Sequence, residues 1–248
     1  MVIQILKTEL TEILSLRGLF LQENNIQIRY NAVHERGWSD SYVFVSGQNK
    51  IGYAAVMGNE NRNDRDTVFE FYTLPSFRNA SSVAFAELLQ LSGATFIECQ
   101  SNDLLLSSML YQFGKNINSQ VVLFEEAFTS NLIQEGVIFR QRAAEDQIFD
   151  HTGELAGDFV LELGKEIVAT GGFLLHYNFP FADLYMEVNE LYRQRGFGSY
   201  LVQETKKQCY LAGRVPAARC NMSNPASKAT LLKAGFKIAG FMLFATIK

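Results

Sequence analysis

Charge is scarce in this sequence. Asp, Glu, Lys and Arg make up 19% of the 248 residues, against 48% hydrophobic ones, where soluble domains carry about a quarter charged residues. That shortage excludes a disordered chain and a charge-laced coiled coil, and implies a compact fold. Positive charge is the scarcer sign: 22 Lys and Arg against 26 Asp and Glu give a net charge of −4, and no basic run exceeds Lys206-Lys207. The electrostatic footprint of a nucleic-acid binder is missing. The three cysteines, Cys99, Cys209 and Cys220, lack the even count and short spacing of a disulfide framework or a zinc site. They read as small packing residues in a reducing compartment, the cytoplasm. No Cys, His and carboxylate spacing points to a metal. No stretch approaches the roughly 18 uninterrupted apolar residues of a membrane-spanning helix. The first ten residues, Met1 to Leu10, show no basic region leading into an apolar export segment.

The length suits one large domain or two small ones, and an internal repeat decides between them. It recurs at an offset of roughly 115 to 122 residues. In the first half, Tyr42 to Val56 reads as two strands around a Gly-Gln-Asn turn; in the second, Asp158 to Leu175 reads as two strands around a Gly-Lys turn. A third strand follows each hairpin, Thr67–Tyr72 and Asp183–Val188, and then a helix, about Ser81–Leu91 and Gly198–Ala212. Next come a short strand (Thr95–Cys99, Ala217–Asn221), a second helix (Asn102–Gln112, Asn224–Lys233) and a last strand (Val121–Phe124, Gly240–Ala245). Asn224 reads as an N-cap, with Pro225 at the first helical position. A further helix, about Glu9–Gln22, precedes the first hairpin. The expectation is a mixed α/β fold in two tandem copies, 1–130 and 131–248, linked near Phe128 to Gln134.

The copies differ at the turn after the third strand. The first runs Phe77-Arg-Asn-Ala-Ser81-Ser-Val83, the second Tyr192-Arg-Gln-Arg-Gly196-Phe-Gly198. Two glycines between a strand and a helix permit φ > 0 or close approach, and the helix start leaves unpaired N–H groups at a positive dipole end. That geometry suits a diphosphate, although such turns also serve as plain connections. A dinucleotide site fits less well, because Leu201 stands where its fingerprint has a third glycine and Asn221, not an acid, ends the next strand.

The segment from Val188 to Val202, with Arg193-Gln-Arg-Gly196-Phe-Gly198 at its centre, resembles the acetyl-CoA signature of the GNAT N-acetyltransferase superfamily. Asn224-Pro-Ala-Ser-Lys-Ala-Thr-Leu-Leu-Lys-Ala-Gly-Phe236 resembles the helix that follows it there. The resemblance covers about residues 135–248; the first half shares the fold pattern but has Ser81 and Val83 at the glycine positions, and so resembles a degenerate copy.

The resemblance implies two splayed parallel strands with pantetheine between them. Its amides would pair with the strand from Leu184 to Val188, including Met186 and Val188. The diphosphate would be held by backbone N–H groups of the turn, Arg193, Gln194, Arg195, Gly196, Phe197, Gly198 and Ser199, with a secondary contact from Asn224. A main-chain N–H near Val188 would stabilise the oxyanion. An amine then attacks the thioester directly, with no cysteine nucleophile.

Glu187 is the candidate catalytic base, since partial desolvation on the central strand would raise its pKa; the alternatives are that it faces solvent or pairs with Arg219. The superfamily often has a Tyr five residues before the Phe of its Gly-Phe ending, to protonate the thiolate; this sequence has Leu231 there, so the general acid stays unassigned. His176, Tyr177 and Asn178, in the loop between two strands, are candidates for acceptor recognition or form a packed or solvent-facing loop. His34 and His151 read as surface residues. The resulting expectation is an acetyl-CoA-dependent N-acetyltransferase acting on an amine, with no nucleic-acid, membrane or metal partner. The competing class is a non-catalytic acyl-CoA sensor or interaction module; another acyl chain or an alcohol acceptor is a further enzyme alternative.

Overall fold

The structure is a computed structural model and describes residues 2–28, 31–149 and 156–248. It divides into two compact units, Met1–Gln120 with Gly240–Lys248, and Val121–Ala239. His151 lies outside the described residues.

The first unit runs β1 (Gln4–Thr8), α1 (Leu14–Glu23), α2 (Asn31–Glu35), β2 (Ser39–Ser46), β3 (Asn49–Met57), β4 (Thr67–Thr73), α3 (Ser81–Ser92), β5 (Phe96–Gln100) and α4 (Leu104–Phe113), and leads into β6 (Gly114–Glu126). The second runs from the end of β6 through β7 (Val137–Gln141), β8 (Phe159–Leu163), β9 (Glu166–Leu174), β10 (Phe181–Val188), α5 (Phe197–Leu211), β11 (Val215–Asn221) and α6 (Pro225–Lys233) to the start of β12 (Phe236–Ile247), whose remainder belongs to the first unit. Within each unit the strands form an antiparallel meander, β1-β2-β3-β4 or β7-β8-β9-β10, followed by one parallel neighbour, β5 or β11. The repeat in the sequence is therefore a repeat of topology. It missed the edge strands β1 and β7 and the short helix α2.

The last strands depart from the sequence pattern. That pattern closes each copy with its own strand and places the boundary between residues 130 and 131. Instead, Val121–Glu125 of β6 pair antiparallel with β11 of the second unit, and Met242–Thr246 of β12 pair with β5 of the first. Each copy's final strand thus completes the sheet built by the other copy's sequence, and the division falls at Val121 and Gly240. β6 and β12 are continuous strands of 13 and 12 residues, and no break separates the part that belongs to one unit from the part that belongs to the other.

Core packing follows the two periods. In the first unit, Phe44, Val56, Val68, Phe71 and Ile97 of the sheet pack with Phe85 and Leu88 of α3 and Leu106 and Leu110 of α4. Each such side chain contributes about 1.5–3 kcal/mol on full burial. The other face of the sheet takes α1 through Leu16 and Phe20, against Val43, Tyr53 and Tyr72. Beneath α1 lies a charge: Glu70 of β4 is wholly buried and accepts from Arg17 Nε and Nη2, His34 and Tyr53 at 2.9–3.2 Å. His34 is thus a buried residue, contrary to the surface position expected of it, because a buried carboxylate must collect donors.

In the second unit, Leu161, Val168 and Ala169 pack against Phe197 and Leu201 of α5. Asn224 caps α6 by accepting from Ser227 N at 2.9 Å, and Gly213, with φ +70°, stops the chain just after α5. Cys99, Cys209 and Cys220 are all free and buried. No helix among the described residues is long and apolar enough to cross a membrane.

Candidate active site

β10 and β11 pair in parallel only from Phe181–Val215 to Leu184–Ala218, although β10 continues to Val188 and β11 to Asn221. The two strands therefore part company after Leu184. The backbone of β10 beyond that point is orientated by its other neighbour. Asn189 N donates to Val168 O at 2.9 Å, which makes Val188–Ala169 a non-hydrogen-bonded pair and turns the peptide groups of Val188, and by alternation Met186, away from β9 and toward the gap. Val188 O accepts from Arg193 Nε at 3.2 Å, so the strand end and the following turn are tied together.

That turn ends at the start of α5. Gln194 (φ +64°) and Gly196 (φ +88°) both adopt the left-handed conformation, and the first bond of the helix is Tyr200 N to Gly196 O at 3.1 Å. Among the described residues the N–H groups from Gln194 to Ser199 have no acceptor. Successive peptide N–H groups in a nest-like turn at a helix N-terminus form an anion-binding concavity. Arg193 pairs with Glu190 at 3.1 Å, and Arg195 lies over the Tyr192 ring at 5.2 Å. The Tyr192 hydroxyl donates to Glu166, and that hydrogen bond raises its pKa.

The two glycines have different reasons. Gly196 needs its positive φ. Gly198 is helical and sits where a Cβ would lie 3.2 Å from Thr230 Cγ2, 3.3 Å from Val188 Cγ2 and 3.6 Å from Met186 Cε. Its small size lets α5 close on β10 and α6. Phe197 and Ser199 likewise spend their side chains on structure, Phe197 in the core and Ser199 Oγ on Thr230 O at 3.2 Å, so only their N–H groups face outward chemistry. Asn224 is engaged as a cap, and Leu231 is buried.

Glu187 lies on the opposite face of β10 from Met186 and Val188, beside Thr170 of β9 in the register. Its Oε2 is buried without a hydrogen-bond partner. Arg219 lies 3.7 Å from Asp183, two residues along that same face from Tyr185 and four from Glu187. His176 Nε2 reaches Asp183 Oδ2 at 3.0 Å. Tyr177 and Asn178 take the packed-loop alternative: both are about 1% exposed. The loop packs them inward as it turns into β10, with Phe181 N donating to Asn178 O at 2.8 Å. A residue that sequence reasoning missed is Gln134, whose Nε2 donates to Arg195 O at 3.0 Å. It comes from the linker, with no motif around it to draw notice. Lys233 Nζ stands 3.8 Å from where a Gly196 Cβ would be. No group of three or more His, Cys, Asp or Glu among the described residues is placed to hold a metal ion.

With this geometry in place the chain can be set beside known proteins. Residues 123–236 match the family model described as Acetyltransferase (GNAT) family. The match lies almost wholly within the second unit, Val121–Ala239. A GNAT-family acetyltransferase from Colwellia psychrerythraea superposes with TM-score 0.75 at 16% identity, covering 99% of this chain and 100% of that one. A tandem GNAT protein from the clavulanic acid biosynthesis pathway gives TM-score 0.61 at 10% identity, covering 99% and 98%. A GCN5-related N-acetyltransferase from Sphaerobacter thermophilus gives 0.56 at 14% identity, covering 84% and 81%. These likenesses show a shared fold, including the tandem arrangement. No curated protein matches the chain by sequence.

Proposed function

We propose that this protein is an acetyl-CoA-dependent N-acetyltransferase whose catalytic site lies in the unit Val121–Ala239. The observation that carries the reading is the gap beyond Leu184–Ala218, faced by the peptide groups of Met186 and Val188 and leading to the acceptor-free N–H groups of Gln194 to Ser199. A pantetheine chain needs alternating amide partners along its length and its diphosphate needs donors at one end; the gap supplies both in that order. The residues present fit acetyl-CoA as co-substrate on those two counts.

The chemistry is a direct transfer. The amine nitrogen attacks the thioester carbonyl carbon, the C–S bond breaks, and CoA leaves as thiolate. Glu187 takes the proton from the amine, its unpartnered Oε2 being the open acceptor on the strand. With Leu231 buried where the resemblance has a tyrosine, the thiolate, whose conjugate acid titrates near pKa 8.5, takes its proton from water. Of the loop residues offered for acceptor recognition, His176 remains, since its partner Asp183 shares the Glu187 face. We assign the protein to the cytoplasm, in keeping with three free buried thiols.

Leu231 also favours a second reading, a non-catalytic acyl-CoA sensor. CoA release over a panel of amines, amino acids and peptides, run beside calorimetry with acetyl-CoA, separates the two. Binding without turnover on any amine supports the sensor, and absence of binding defeats both.

A further inference from the structure

The linker between the copies does not run free. Lys206 of α5, buried at 4% exposure, donates to the carbonyls of Phe128 and Ala234 at 3.0 Å each and pairs with Glu126 at 2.7 Å. One turn nearer the helix start, the buried Gln203 accepts from Ser130 Oγ at 2.9 Å and Leu132 N at 2.6 Å, and donates to Leu132 O at 3.1 Å. The segment then reaches the turn, where Gln134 Nε2 donates to Arg195 O. As residue numbers rise from 126 to 134 their partners on α5 and its leading turn fall from 206 to 195. The segment is laid antiparallel along the helix. Two buried polar side chains on a helix face where apolar ones would pack are spent on holding it.

We propose that Glu126–Gln134 is a strap that shapes the diphosphate turn, with Gln134 as its positioning residue and Lys233 as a direct phosphate contact; the proposal rests on the functional reading above. The turn needs such help. Gln194 has a side chain in a left-handed conformation that costs an L-residue roughly 1–2 kcal/mol, and such conformations persist only where the surroundings over-determine them. Arg195 lies between the two left-handed residues. Anchoring its carbonyl fixes the peptide that joins Arg195 to Gly196, and with it the direction of the first N–H groups of α5. Lys233 adds the charge: its ammonium stands beside Gly196 and has no ion-pair partner among the described residues. The N–H groups of the turn and an ammonium beside Gly196 together supply donors and a positive charge for a diphosphate.

The test uses the full chain and compares CoA with pantetheine, which lacks the diphosphate. Gln134→Ala is expected to weaken CoA roughly three- to tenfold, the worth of one hydrogen bond, and Gln134→Glu to weaken it more, by setting a carboxylate at the site. Lys233→Met should weaken CoA about tenfold or more and flatten its salt dependence. Pantetheine affinity should stay as in the wild type. CoA affinity of Gln134→Ala within twofold of wild type, or equal loss of CoA and pantetheine, overturns the proposal. A wild type that binds no CoA overturns the functional reading instead. The strap then stands or falls on amide hydrogen exchange at Gly196 to Ser199 in the unliganded protein, which Gln134→Ala should accelerate and which an idle linker would leave unchanged.

Discussion

Tyr72 of β4 stands 115 residues before Glu187, at the same place in the repeat as Ser81 before Gly196, and its hydroxyl donates to Glu23 at 2.6 Å. Where the second unit carries an open carboxylate oxygen, the first carries a phenol already spoken for. Burial and then Glu23 push the Tyr72 pKa up to about 12, so it stays neutral and bonded. Glu23 also pairs with Arg78, the counterpart of Arg193, and Thr73 bonds Ser81 at 2.8 Å. The remaining cavity here, about 160 Å³ and lined by Phe20, Glu23, Phe71, Tyr72 and Arg78, has its polar lining satisfied from within. Calorimetry on the full chain should therefore give one CoA site per chain, weakened by changes at Gly196 and untouched by Ser81→Ala. Two equivalent sites would defeat the assignment of cofactor binding to the second unit alone.

The two glycines should separate in experiment. Gly196→Ala forces a side chain into φ +88° and against Gln134, 2.6 Å away, so it should cost about 1–2 kcal/mol of stability and weaken CoA. Gly198→Ala meets only side-chain methyls at 3.2–3.6 Å and should fold with a smaller loss. Gly198→Val overpacks the same spot and should cost about 1–3 kcal/mol, measured by denaturant unfolding. Equal stability of Gly198→Val and wild type would mean that α5 does not close on α6 as described.

The contrast between these two residues shows how far the sequence could be read. Turn glycines, the Asn224 cap and the paired hairpins are local features, and spacing alone located them. What depends on distant partners was not legible. Nothing near His34 marks it as a donor to Glu70, because that carboxylate is 36 residues away. Nothing near Val121 or Gly240 says that a strand passes from one unit to the other, because β-propensity is blind to which neighbour a strand will pair with. Tyr177 and Asn178 look like loop residues in any sequence, and only the packed hairpin shows them facing inward. Gln134 belongs to the same class: its meaning comes from Arg195, 61 residues on.

The Arg17–Glu70 pair should dominate acid sensitivity. Burial alone would raise the Glu70 pKa, yet the charges of Arg17 and His34 hold it below the ordinary carboxylate value of 4.5. A lowered pKa stabilises the fold above the unfolded value and loses that contribution as pH falls below about 4.5 toward the folded one. Thermal unfolding should thus shift to lower temperature between pH 5 and pH 3. Arg17→Met, which strands the carboxylate, should cost about 3–5 kcal/mol at pH 7, and adding Glu70→Leu should restore much of the loss. A harmless Arg17→Met would show that the pair holds nothing.

The cysteines should be silent. Burial pushes the Cys209 thiol up to about 12, and raises that of Cys220. At pH 8 a disulfide reagent should label none of the three buried thiols in the folded protein within the time that labels all of them in denaturant. Rapid labelling of the native state would place at least one cysteine in an accessible site.

The final prediction concerns Glu187. Glu187→Gln keeps the side chain's size and its place beside Thr170 but removes the basic oxygen, so CoA and acetyl-CoA should bind as before. If that oxygen takes the amine proton, turnover should fall roughly 10²- to 10⁴-fold at neutral pH. The deficit should narrow as pH rises, since an amine that is already neutral needs no base. Steady-state rates for both proteins across pH 6–10, with any amine that the wild type acetylates, decide the matter. A variant that keeps pace with the wild type over that range removes Glu187 from the chemistry and leaves His176, held by Asp183 on the same face, as the next residue to replace.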